Sequence, residues 1–224
     1  MTEDEFVTFK ETLLTIDDAL NNRLPKEFGD AYDIFLRDYG WHMRLEEHPN
    51  KLIPFMLRGN KAIDRHFIRQ LRWSLFFLWT KATRRFPKRR KMINSAFKAH
   101  LRSDYTASVP LFLILSEGIF RDLCGEDLFT KGKKSKMENF TKRNPDLRIF
   151  PLISHIIDAV SNGDIIGLRF SDEESLKYPN VLSRNKILHG ADLSYGTKVN
   201  SYKAISQFEF VVENVYKAVT NSFI

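Results

Sequence analysis

The stretch "AIDRHFIRQLRWSLFFLWTKA", residues 62–82, has the clearest helical spacing of apolar residues in the chain. Its large apolar residues recur at steps of three and four, which places them on one face of an α-helix. They are Ile63, Phe67, Leu71, Leu75 and Leu78. A stripe this long and this apolar predicts a helix that is strongly buried in a core.

The same helical spacing extends over most of the chain, including residues 4–20, 91–104 and 147–162. Glycine and proline number only ten and eight in 224 residues, and no stretch alternates as a half-buried strand would. The sequence therefore predicts an all-α fold, a helical bundle with an additional N-terminal helical region. Pro110 is expected in the first turn of its helix, where a missing N–H costs little.

A last apolar stripe lies in residues 201–224. Its members are Ile205, Phe208, Val212, Val215 and Val219. Steps of three and four fit a helix buried in the core of the chain. They also describe the seam of a coiled-coil dimer, so both interpretations are open at this point.

A basic stretch, "KATRRFPKRRK" at residues 81–91, holds seven basic residues and no acidic one, in a chain of formal net charge +7. Pro87 breaks the helical pattern here, so we predict an N-terminal helical region of unknown role at 1–90 and a helical domain at 91–224. The stretch suits RNA, DNA or a phosphate-rich membrane surface, or it is a solvated junction between two helices. The candidate RNA-binding residues are Arg84, Arg85, Lys88, Arg89 and Arg90, with Lys133 and Lys134 of the polar loop predicted at 131–146.

Composition argues against several classes of protein. Cys124 is the single cysteine, which rules out an internal disulfide framework and a multi-cysteine metal site and fits a reducing compartment. The six histidines have no metal-ligand partner three or four residues away, and the chain has no glycine-rich phosphate loop, so neither a metal nor a cofactor is expected. The longest apolar runs have seven residues, whereas a membrane span needs about 20. With no signal peptide visible in "MTEDEF", we expect a soluble cytoplasmic protein without a membrane partner.

The stretch "SRNKILHG", residues 183–190, is the candidate catalytic site. As a short helix, with Asn180 as its expected N-cap, it would end at Gly190, which can adopt the left-handed conformation that follows a helix. His189 would then lie in the last turn, where the partial negative charge of the helix end favours the imidazolium. Asn185 lies four residues before His189, and the long side chain of Arg184 can reach a phosphate that both approach.

These three residue types suit metal-independent cleavage of RNA. The ribose 2′-OH would attack the neighbouring phosphate to give a 2′,3′-cyclic phosphate, with His189 as general acid or base. Arg184 would stabilise charge on the phosphate oxygens, and Asn185 would orient the phosphate or the histidine. A symmetric dimer would supply the second histidine. The alternative is that arginine and histidine are ordinary capping and surface residues of a helix end.

Two blocks of sequence resemble the HEPN superfamily (higher eukaryotes and prokaryotes nucleotide-binding), most closely its bacterial and phage-defence members. "RNKILHG" is similar to the R-x₄₋₆-H signature, and the run Asp192, Tyr195, Gly196, Thr197 and Asn200 follows it. Upstream, Glu117, Gly118, Ile119 and Asp122 match an E-G-I-x-x-D turn. Together the blocks cover roughly residues 92–224.

The resemblance implies a helical bundle, a homodimer and a metal-independent endoribonuclease, in a toxin–antitoxin or anti-phage defence system with an antitoxin or other partner protein. It implies Arg184 and His189 as the catalytic pair with Asn185 in support, and Glu117 and Lys186 as further supporting candidates. For Glu117 a role in helix packing or in a salt bridge is the alternative, and Asp122 is expected to be structural. Tyr195 and Asn200 would cap and pack the last helix. Other HEPN domains only bind, so a non-catalytic module that holds RNA, a nucleotide or a partner protein stays open, as does a DNA-binding regulator.

Overall fold

A computed structural model describes residues 3–18, 27, 30–32, 34–44, 49–125 and 177–220. These ranges contain α-helices and short 3-10 and π-helices and no strand, so the predicted all-α fold is confirmed for them. The α-helices are α1 (Glu3–Asp18), α2 (Ile53–Met56), α3 (Asn60–Arg85), α4 (Arg90–Leu101), α5 (Tyr105–Cys124), α6 (Arg184–Leu188), α7 (Lys198–Glu209) and α8 (Tyr216–Thr220). The 3-10 helices are Pro49–Leu52 and Pro87–Arg89, and the π-helices are Phe35–Tyr39 and Phe210–Val215.

The apolar stripe of α3 is buried as predicted. Its five large residues, together with Ala62 and Ala82, form the inner face of this helix. Trp41 stacks on Phe67 with ring centroids 5.0 Å apart, and Trp79 stacks on Phe97 of α4 at 5.3 Å. Buried side chains on both sides of position 90 therefore share one continuous core. The division of the chain into 1–90 and 91–224 stays a prediction.

The C-terminal stripe lies at the centre of this core. Every residue from 201 to 208 is buried, and Ile205, Phe208, Val212 and Val215 are fully so. The helix changes from α to π at Phe210 and returns to α at Tyr216. Because the stripe packs inside the chain, it does not form the seam of a coiled-coil dimer. The predicted homodimer would need another surface and stays a prediction.

The start of α5 differs from the expectation for Pro110. The helix begins at Tyr105, and the carboxylate of Asp104 caps it by accepting a 3.3 Å hydrogen bond from the Ala107 N–H. Pro110 therefore lies inside the helix, in the second turn, where it lacks the N–H that would pair with the carbonyl of Thr106. Leu101 continues the apolar spacing of residues 91–104 in the sequence, but it is 60% exposed at the end of α4.

Two further points concern the segments around the core. Residues 27–47 repeat the helical spacing more loosely in the sequence, but the π-helix Phe35–Tyr39 ends at Gly40, whose φ of 71° is left-handed, and residues 41–44 are not helical. The loop predicted at 131–146 and the helix predicted at 147–162 lie outside the described residues.

Candidate active site around Arg184

The helix that carries Arg184 begins at Ser183 rather than under a cap from Asn180. The Ser183 hydroxyl accepts a 3.4 Å hydrogen bond from the Lys186 N–H, and its backbone is extended, as at many N-caps. The Asn180 amide donates instead to the carbonyl of Asp38, at 2.9 Å. Asn180 was therefore the wrong choice of cap, because a contact 142 residues away occupies its side chain.

The end of α6 agrees with its sequence. Gly190 has a φ of 72°, the left-handed conformation that closes a helix. The carbonyl of Lys186 accepts from the N–H groups of Ala191 and Asp192, at 2.7 and 3.1 Å. Ile187 is buried and anchors the helix against α5. The turn therefore has a fixed backbone, with Arg184 at its start and His189 at its end.

Arg184 joins the two blocks of sequence that suggested the site. Its guanidinium forms an ion pair with the carboxylate of Glu117 on α5 and donates a 3.1 Å hydrogen bond to Oδ1 of Asn185. The side chains of Arg184 and Glu117 are only 21% and 17% exposed. Three of the predicted site residues, Arg184, Asn185 and Glu117, thus lie in direct contact, and the guanidinium is held in one orientation.

His189 occupies the C-cap position of the same turn. Its side chain is exposed, and within the described residues it makes no hydrogen bond. An exposed imidazole is accessible to a polynucleotide and to a second copy of the chain. Lys186, the other supporting candidate, is half-buried.

Three residues that follow α6, Tyr195, Thr197 and Asn200, form hydrogen bonds within the fold. Thr197 caps α7 by accepting from the N–H of Asn200 at 3.1 Å, and the Asn200 amide donates to the carbonyl of Tyr195 at 3.0 Å. The Tyr195 hydroxyl donates to the carbonyl of Thr106 at 3.0 Å. These bonds agree with the capping and packing roles expected for Tyr195 and Asn200.

The E-G-I-x-x-D turn binds an arginine from the predicted basic surface. Arg89 donates to both carboxylate oxygens of Asp122, at 2.6 and 2.9 Å, and to the carbonyl of Gly118 at 2.8 Å. The hydrogen bonding between these two side chains lowers the pKa of the Asp122 carboxyl and raises the pKa of the Arg89 guanidinium. A Cβ at Gly118 would lie 2.7 Å from Cζ of Arg89, so a larger residue here would displace the guanidinium from this position. Gly118 and Asp122 therefore form a structural site for Arg89.

The remaining candidates for RNA binding separate into two groups. Arg85 is half-buried and donates to the carbonyl of Val212 at 2.7 Å, with its guanidinium 4.2 Å from the centre of the Tyr216 ring. Like Arg89, it is engaged inside the fold. Arg84, Lys88 and Arg90 are exposed, whereas Lys133 and Lys134 lie outside the described residues.

Sequence reasoning missed two concave regions beside α3. One is a groove of about 1030 Å³ lined by Arg58, Arg65, Arg69, Arg72 and Lys198. The arginines at 65, 69 and 72 recur at steps of four and three in the sequence, which is a visible signal of a basic helix face. Lys198, more than 120 residues away, joins them only through the fold.

The other concave region is a cavity of about 600 Å³ between α3 and the π-helix Phe210–Val215. Arg44 forms two hydrogen bonds to Glu209, of 3.0 and 2.7 Å, and Lys81 lies 2.8 Å from the carboxylate of Glu213. His42 is buried, and this burial lowers its pKa to about 3. Glu209 and Glu213 are thus both paired with a lysine or an arginine of the same lining. The described lining of this cavity therefore offers a ligand no carboxylate without such a pair.

No protein-family model, curated protein or solved structure matches the chain. Within the described ranges, no helix is long and apolar enough to cross a membrane. In the same part of the chain, no three His, Cys, Asp or Glu side chains lie close enough together to hold a metal ion.

Proposed function

We propose that the chain is a metal-independent endoribonuclease of the HEPN type. The observation that carries this proposal is the contact between Arg184 and Glu117. It joins the two blocks of sequence that resemble the superfamily, which lie 67 residues apart in the chain. The same contact orients a guanidinium beside Asn185 in a turn that ends on an exposed histidine.

The reaction needs one base, one acid and a group that stabilises charge. The O2′–P bond forms as the 2′-OH loses its proton to the base, and the P–O5′ bond breaks as the acid protonates the leaving O5′. The products are a 2′,3′-cyclic phosphate and a 5′-hydroxyl. Arg184 stabilises negative charge on the non-bridging oxygens, and His189 serves as base or acid. His189 of a second copy fills the other role, so the active form would be a homodimer.

The biological setting follows from the resemblance alone. We propose a cytoplasmic toxin or anti-phage defence protein whose activity a partner protein, such as an antitoxin, restrains. Its substrate would be RNA.

The test is cleavage of bulk tRNA and messenger RNA in EDTA by the wild type, His189→Ala and Arg184→Ala. Leu193→Ala is the matched control, because Leu193 is 90% exposed and lies four residues from His189. We expect cyclic-phosphate ends from the wild type and the control. Loss of a positioned acid or base should slow cleavage by about 10²–10⁴-fold in His189→Ala. Undiminished cleavage by that variant would overturn the assignment.

A non-catalytic binding module is the second candidate. The ion pair of Arg184 with Glu117 favours it, since a guanidinium held by a carboxylate can serve the fold rather than a phosphate. This function predicts salt-sensitive RNA binding by both the wild type and His189→Ala, with no cut RNA from either.

A further inference from the structure

The groove beside α3 is a strongly basic concave surface. Its five cationic side chains, Arg58, Arg65, Arg69, Arg72 and Lys198, are all exposed, and its described lining contains no aspartate or glutamate. None of the five forms an ion pair with a described residue. This distinguishes the groove from the basic stretch 81–91, where Lys81, Arg85 and Arg89 are paired with carboxylates.

The cations are arranged as a track. Arg65, Arg69 and Arg72 follow one another at about 1.5 Å per residue along α3, so their Cα atoms are spaced by about 5 Å along its axis. Arg58, just before the helix, extends this row toward α2, and Lys198 faces it from the first turn of α7. A row of unpaired cations between two walls suits a linear polyanion that lies along the groove.

Trp73 adds an aromatic surface to the groove. It is 81% exposed, whereas Trp41 is buried and donates to Asp64 at 2.9 Å, and Trp79 donates to Asn94 at 2.7 Å. Exposing a tryptophan to water leaves a large apolar surface uncovered. Beside a phosphate-binding track, an exposed indole is the kind of platform on which an unpaired base stacks.

We propose that this groove binds single-stranded nucleic acid, with the phosphates along Arg65, Arg69 and Arg72 and a base on Trp73. A base in a duplex is already stacked on its neighbours, which is why the exposed indole favours a single strand. A membrane surface is flat and would not enter a groove. That the strand is RNA, and that it is the strand cut at His189, rests on the proposed function; the binding itself does not.

The experiment measures binding of a fluorescein-labelled 12-nucleotide oligo(U) to the full chain in the His189→Ala background, which prevents turnover. The groove variant is Arg65→Gln/Arg69→Gln/Arg72→Gln. Its matched control is Lys10→Gln/Lys98→Gln/Lys177→Gln, which removes the same charge from exposed residues that line neither concave region. Circular dichroism is used to check that each variant folds, and oligo(dT) and phosphatidylserine vesicles are tested in parallel.

We expect the groove variant to weaken oligo(U) binding by at least about tenfold and the control by less than about threefold. Loss of three phosphate contacts should also reduce the slope of log K against log salt by about 2. Trp73→Ala should weaken binding by about 5- to 150-fold, and the tryptophan fluorescence of the parent should be quenched by oligo(U). Equal binding of oligo(dT) would identify the ligand as single-stranded nucleic acid of either sugar.

Several outcomes would overturn the proposal that this groove binds single-stranded nucleic acid. They are unchanged oligo(U) binding by the folded groove variant, equal weakening by the control, or binding to the vesicles without binding to either oligonucleotide. Failure of the proposed function looks different, because the groove would then bind oligo(U) while wild-type protein cuts no RNA. Conversely, a groove variant with restored His189 that cuts RNA at the wild-type rate and KM would leave the nuclease standing without this groove.

Discussion

The hydroxyl of Tyr195 donates a 3.0 Å hydrogen bond to the carbonyl oxygen of Thr106. In an unbroken α-helix that carbonyl would accept from residue 110, but proline at this position has no N–H to donate. The proline of α5 and the tyrosine before α7 are therefore complementary. One leaves an acceptor open, and the other fills it from a segment 89 residues away.

This relationship predicts coupling between Tyr195 and Pro110. Tyr195→Phe should lower the free energy of unfolding by about 0.5–1.5 kcal/mol, the net value of one hydrogen bond. In a Pro110→Ala background the new N–H competes for the same carbonyl, so the cost of Tyr195→Phe should be smaller. Urea unfolding of the four proteins of this double-mutant cycle measures the difference. An identical cost in both backgrounds would show that the two residues act independently.

The ion pair between Arg184 and Glu117 should stabilise the fold as well as the site. Glu117→Ala removes the carboxylate beside a half-buried guanidinium and should lower the free energy of unfolding by about 1.5–3 kcal/mol. Glu117→Gln keeps a hydrogen-bond acceptor of similar shape and should cost less. Chemical denaturation of both variants tests this order, and a harmless Glu117→Ala would contradict it.

Alanine substitutions at Gly40 and Gly190 can separate the stability cost of a steric contact from the stability cost of backbone strain. Both have φ near +70°, so alanine should cost about 1–2 kcal/mol of stability at either position. A Cβ at Gly190 would meet nothing within 4 Å, whereas at Gly40 it would press on the Asn180 carbonyl group, 3.1 Å from its carbon atom.

Gly40→Ala should therefore be the more destabilising variant, by about 1–3 kcal/mol beyond Gly190→Ala, as for other overpacked sites. Thermal and urea unfolding of the two variants gives this difference directly. Equal stabilities would mean that the segment around Asn180 moves away at no cost.

Two buried histidines predict a loss of stability in acid. Burial lowers the pKa of His42 to about 3 and that of His100 to about 4, the latter aided by the charge of Lys198. In the unfolded chain both titrate near 6.5, so below this pH the unfolded state takes up protons that the folded state does not. Their contribution is complete above pH 6.5 and is lost as the pH falls toward 4 for His100 and 3 for His42.

Between pH 7.5 and 5.0 each histidine should reduce the free energy of unfolding by about 2 kcal/mol. His100→Gln, which can keep a hydrogen bond to Ser201, should shrink the combined loss by about half. The comparison uses the difference between the two pH values for each protein, so any packing cost of the substitution cancels. An unchanged difference in His100→Gln would exclude His100 as a source of the pH dependence.

The parts of the fold that depend on local pattern could be predicted from the sequence. The stripe of α3 and the left-handed Gly190 follow from helical spacing and from glycine's freedom at positive φ, which neighbouring residues fix. Contacts between distant segments could not be predicted. Nothing near Asn180 indicates that its amide binds Asp38, and nothing near Arg89 indicates Asp122. For the same reason the basic stretch looked like a uniform surface until Arg85 and Arg89 were seen to be engaged inside the fold.

The candidate site shows the same limit. Arg184, Asn185 and His189 could be proposed together because all three lie within one short helix and its C-cap. The ion pair with Glu117 depends on how α5 packs against that helix, which spacing alone does not give. Prediction of the groove would require both the local spacing of residues and the packing of distant helices, because its arginines at 65, 69 and 72 lie on one helix and Lys198 on another.

The π-helix Phe210–Val215 makes the C-terminal helix intolerant of changes in length. A single-residue deletion in this segment could restore a regular α-helix, but it would rotate every later residue by about 100° relative to the core. Tyr216 would then lose two contacts. Its ring now lies under the Arg85 guanidinium, and its centroid is 5.8 Å from that of the Phe86 ring. Insertions and deletions among natural relatives of this chain should therefore avoid residues 210–215, even where substitutions are accepted.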